Sequence, residues 1–74
     1  MASAQSRKAL ERGWALHQKG DLAGAERLYL SVLRRDAGDV DALQLLGLLN
    51  AHRGNLGAAG QHFDRALGLD PARA

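Results

Sequence analysis

The stretch from His17 to Tyr29, HQKGDLAGAERLY, returns 34 residues later as AHRGNLGAAGQHF, from Ala51 to Phe63. Gly20 matches Gly54, Asp21 matches Asn55, Leu22 matches Leu56, Ala25 matches Ala59, and Tyr29 matches Phe63. A fixed period constrains a chain more tightly than composition does. It implies one supersecondary unit made twice, each copy unable to bury its apolar face alone and therefore stacked on its neighbour. In 74 residues there is room for two copies. A single domain over 1–74 is expected, with repeat one at about 6–39 and repeat two at about 40–73.

Helical spacing identifies the unit. Ala9, Leu10, Gly13, Trp14, Leu16 and His17 recur every three or four residues, which predicts a first helix from about Ser3 to Lys19. Gly20 suits the left-handed residue after a helix, and Asp21 caps the next one. Leu22, Ala25, Leu28, Tyr29, Val32 and Leu33 then mark a second helix over Leu22–Arg35. DAGD at 36–39 breaks it, and Asp39 caps a third helix over Val40–Arg53. Gly54 and Asn55 repeat the stop and start, a fourth helix runs over Leu56–Leu69, and Asp70–Pro71 ends it. Connections of two to four residues make consecutive helices antiparallel neighbours. The expected fold is all-α, two tandem antiparallel helix–turn–helix hairpins forming a short solenoid.

The residues at matching offsets resemble the tetratricopeptide repeat. Its pattern falls on Leu43, Leu46, Gly47, Asn50, Ala59, Phe63 and Pro71 in the second repeat, and on Ala9, Arg12, Gly13, Leu16, Ala25, Tyr29 and Ala37 in the first. In such repeats Gly13 and Gly47 sit where the two helices of a hairpin cross, Ala25 and Ala59 face them, and Tyr29 and Phe63 fill the space beside. Arg12 replaces a buried leucine; on the first helix, with no repeat before it, it is expected to reach water. Asn50 replaces an aromatic, so either it finds hydrogen bonds or the second repeat packs loosely there.

The resemblance implies a protein–protein interaction module. The first helix of each repeat lines a groove for peptides or partner helices, which by position presents Arg7, Leu10, Trp14, His17 and Gln18, with Asp41, Gln44, Leu48, Ala51 and His52 opposite. Trp14 is the expected anchor, since aromatic residues dominate binding energetics. A branch of the family clamps chaperone carboxyl termini, but the clamp positions here are Leu10, Trp14 and Leu45, which lack the polar groups for it. Three or more repeats are usually needed for stability. The alternative is therefore a self-associating module, a homodimer or part of a longer array, through Leu28, Phe63 and Leu67. His62 and Asp64 make the fourth helix more polar than the second, a partial cap. A third reading makes the chain the N-terminal recognition segment of a larger bacterial enzyme such as a glycosyltransferase, by analogy only.

Composition excludes other classes. A net charge of +2 is too small to suggest nucleic acid, and Arg27, Arg34, Arg35 and Arg65 are interspersed with Asp36, Asp39 and Asp41. There is no apolar run near the roughly 20 residues of a membrane span and no secretory apolar core at the N-terminus. With no cysteine, a cytoplasmic location is expected. His17 and His52 project near one end of adjacent helices, but without a carboxylate or thiol they make a poor metal site and are expected to be solvated. His62 is expected at the surface or an interface. Ser31 has no histidine in reach and no phosphate loop occurs, so no catalysis, cofactor or metal is expected.

Overall fold

The computed structural model describes residues 4–72. It holds four helices: α1 (Ala4–Gln18), α2 (Leu22–Arg35), α3 (Val40–His52) and α4 (Leu56–Leu69). No strand occurs among the described residues. α2 and α4 begin and end where the sequence pattern puts them. α1 and α3 stop one residue earlier than expected, and Ser3, the expected start of α1, lies outside the described residues. The two displaced residues keep helical hydrogen bonding, Lys19 N–H to Ala15 and Arg53 N–H to Leu49, so only the boundary moves.

The two hairpin turns are built alike. Gly20 (φ 89°) and Gly54 (φ 82°) take the left-handed conformation that a side chain resists. Their N–H groups donate to His17 and Ala51, and the next N–H reaches back to Leu16 and Asn50, which satisfies the last carbonyls of α1 and α3. Asp21 and Asn55 then start the following helix by accepting from Gly24 and Ala58, at 2.9 and 3.4 Å. Asp39, buried, accepts from Ala42 at 3.0 Å and starts α3.

Within each hairpin an aromatic ring lies against bare glycine. A Cβ added at Gly13 would stand 2.5 Å from Tyr29 Cε1, and one at Gly47 would stand 2.5 Å from Phe63 Cε1. The ring is the nearest neighbour of each glycine, and Ala25 and Ala59 are buried. The hairpins then stack through α2 and α3. Leu10, Ala25, Tyr29, Val32, Ala42, Leu46 and Leu49 form one core across α1, α2 and α3. Each large side chain in it contributes about 1.5–3 kcal/mol by leaving water.

The repeats differ where one has a following helix and the other has none described. Tyr29 is fully buried because α3 packs over α2, whereas Phe63 in the same slot is 41% exposed. Arg12 is exposed and its counterpart Leu46 is buried. Asn50 is buried with its amide donating to Leu46 O at 2.8 Å, so of the two expectations for it, the hydrogen-bonded one holds.

Three outcomes follow for stability, all readable from urea unfolding. Gly13→Ala meets a ring with no free volume, and overpacking exceeds the helix-propensity gain, leaving a net loss of about 1–2 kcal/mol. Gly47→Ala meets a half-exposed ring free to swing aside, so the change is expected within about 0.5 kcal/mol of zero. Gly60 has open space at its missing Cβ. Gly60→Ala is therefore expected to stabilise by about 0.5–1 kcal/mol.

Candidate functional site

α1 and α3, the first helices of the two hairpins, lie side by side. Residues spaced by three and four on each therefore face a shared trough. Leu10, Trp14, Leu45, Leu48 and Phe63 floor it, and Arg7, Glu11, Asp41 and Gln44 rim it, around an open volume of about 570 Å³. Trp14 is 38% exposed, a large apolar surface left to solvent. A smaller cleft of about 310 Å³ lies between α1 and α2 with Lys8, Arg12 and Arg35 at its edge. The trough is the better candidate because its floor is aromatic and aliphatic.

Arg7, Leu10, Trp14, Asp41, Gln44 and Leu48 line the trough together, where helical position puts them. Gln18, His17, Ala51 and His52 do not line it. His17 is buried rather than solvated. Ser6, Leu10, Gly13 and His17 form the buried stripe of α1, which turns the His17 ring inward beneath Trp14. Its Nδ1 lies 3.3 Å from Tyr29 Oη and its Nε2 lies 2.7 Å from Nδ1 of His52. The Trp14 and His17 rings meet edge to face with centroids 5.2 Å apart. Burial, and then the neighbouring His52, pushes His17 below the ordinary histidine value. Burial pushes the Tyr29 phenol up.

Glu11 and Phe63 are trough residues that positional reasoning missed, and Leu45 entered it only as a clamp position. Two carried a signal: Glu11 follows Arg7 by four residues, and Leu45 follows Asp41 by four. Phe63 comes from α4, and no spacing along α1 or α3 points to it.

The three residues considered for self-association do not share a face. Leu28 is half-buried beside Arg12, Ala15 and Leu16 between α1 and α2, while Phe63 sits on α4 against Gly47. Leu67 is exposed on α4. Several arginines are used within the fold: Arg35 donates to Gln5, Arg65 to the Ala37 carbonyl, and Arg53 pairs with Glu26 at 3.1 Å. His62, half-buried, lies 2.8 Å from the Ala58 carbonyl of its own helix. No cluster of three or more metal-ligating side chains occurs among the described residues. None of the described helices is long and apolar enough to cross a membrane.

A sequence model of the tetratricopeptide repeat matches residues 9–74. The chain is also similar to cellulose synthase operon protein C of Komagataeibacter xylinus, with 32% identity over 66 residues. The match covers 89% of this chain and 5% of that protein, so the chain spans a small part of the length of its relative.

The buried Tyr29 hydroxyl gives an outcome of its own. Tyr29→Phe keeps the ring on Gly13 but leaves His17 Nδ1 without a partner. A loss of about 1 kcal/mol is expected in urea unfolding at neutral pH. An unchanged midpoint would mean that the 3.3 Å contact contributes nothing.

Proposed function

The chain belongs to the tetratricopeptide repeat family, and on that premise we propose that it is a protein–protein interaction module whose α1–α3 trough receives an apolar peptide or partner helix. Repeats of this family generally mediate protein–protein interactions. The observation that carries the reading is Trp14. It stands 38% exposed in the apolar lining of the trough and meets the His17 ring edge to face, with Arg7, Glu11, Asp41 and Gln44 as the polar lining. A buried apolar anchor with a polar rim is the arrangement that concentrates binding energy. The rim carries both signs of charge, Arg7 against Glu11 and Asp41, so orientation of the bound segment falls to the rim and affinity to the floor.

A second reading has an observation of its own. Phe63, Leu67 and Leu69 are 41, 49 and 53% exposed on α4. The α2 slots of Phe63 and Leu67 hold Tyr29, buried, and Leu33, half-buried against the core, while that of Leu69 holds the exposed Arg35. This favours an α4 face covered by a further repeat or a second copy, in a longer array or a homo-oligomer. In both readings the chain is a non-catalytic, cytoplasmic binding element.

The test is selection of peptide ligands from a random helical and extended library, followed by affinity measurement against Trp14→Ala. A loss of tenfold or more, about 1.4 kcal/mol, with unchanged helicity is expected. Ligands that bind the variant as tightly as the parent would place the binding surface elsewhere.

A further inference from the structure

We propose that the His17–His52 pair is a proton-sensitive latch, holding α1 to α3 beneath Trp14 near neutral pH and letting the Trp14 end of the trough shift in acid. This rests on the trough being the binding surface, and adds regulation of it.

The latch follows from counting protons on four ring nitrogens. His17 Nε2 and His52 Nδ1 stand 2.7 Å apart, so one must carry hydrogen and the other a lone pair. With both rings neutral the bond is an ordinary one. A first added proton falls on the pair and makes the bond charge-assisted, so the bridge persists. A second proton makes both nitrogens donors. No acceptor remains between them, and two cations cannot keep a 2.7 Å separation. The bridge then opens.

The surroundings oppose that second proton. From α1, Trp14 faces His17 edge to face; from α2, the Tyr29 hydroxyl lies at its Nδ1; from α3, His52 lies at its Nε2. Glu26, one turn before Tyr29, is already paired with Arg53, the residue after His52. Lys19, two residues past His17, is exposed and cationic. His17 sits below the ordinary value of about 6.5, so its contribution to stability is full above that pH and is lost as pH falls through its own lowered value. The latch therefore opens on the acid side of the ordinary histidine range.

The two nitrogens are engaged with each other, and no third histidine, cysteine or carboxylate joins them in a ligand cluster among the described residues.

The experiment is an NMR titration of the whole chain without any peptide, from about pH 8 to about pH 4.5. It follows the three imidazoles and the Trp14 indole N–H, with far-UV circular dichroism in parallel. The His17–His52 pair is expected to respond in two coupled steps. The Trp14 signal should move with the lower step while helicity holds. In His52→Gln the amide at 52 accepts from or donates to His17 without titrating, so the Trp14 movement should vanish. A Trp14 signal that stays still through both steps overturns the proposal. So does one that moves equally in His52→Gln, or helicity lost with it in both proteins. If His52→Gln does not fold, the parent chain decides: two independent titrations at the ordinary value overturn the latch, and coupled steps with Trp14 following the lower one sustain it. Because no peptide is present, a failed latch leaves the trough to the Trp14→Ala affinity measurement.

Discussion

The Tyr29 ring on the bare α-carbon of Gly13, and the Phe63 ring on that of Gly47, set the distance between helices within each hairpin. Everything else is placed by that contact. A side chain at either glycine must displace the ring or part the helices. Because the ring packs on its own hairpin, the side away from the glycine is left for whatever packs next. On α2 the next element is α3, and Tyr29 disappears from solvent. On α4 no described element follows, and Phe63 stays half-exposed. One local device, used twice, gives two results, and the difference is the presence of a stacking neighbour.

That stacking also makes the trough. With α2 packed on α3, α1 is brought alongside α3, and the outward residues of the two first helices become opposite walls. The same stripe on α1 that turns Gly13 inward to receive a ring also turns His17 inward. The Tyr29 hydroxyl, fixed by the ring, then meets His17, and His17 meets His52 across the helix boundary. Trp14 rests on this polar layer. The apolar floor of the trough and the histidine layer beneath it thus share one cause, the close approach at Gly13.

Much of this was legible in the chain. The 34-residue period, the paired Gly20–Asp21 and Gly54–Asn55 turns, and the four helices follow from local chemistry, because capping and left-handed glycine are decided by a few adjacent residues. Arg7, Leu10, Trp14, Asp41, Gln44 and Leu48 of the trough followed from the family resemblance carried over by position, whereas Glu11 did not. His17 did not: on the sequence it looks like one more polar residue on a groove helix, and its burial depends on a tyrosine hydroxyl twelve residues away and a ring on another repeat. Leu28 and Phe63 look equivalent as apolar residues of second helices, yet the fold puts them beside different neighbours. Side-chain partners across helices are the part that periodicity cannot carry.

Native-state amide hydrogen exchange on the dilute chain tests the stacking account most directly. α3, covered on two sides, and α2 beneath it should exchange only by global unfolding. α4, with α3 as its one helical neighbour among the described residues and with Gly57, Gly60 and Gly68 weakening it, should open at a lower free energy. Protection in α4 equal to that in α3 would contradict it, because the Phe63 face would then be as well covered as the Tyr29 face.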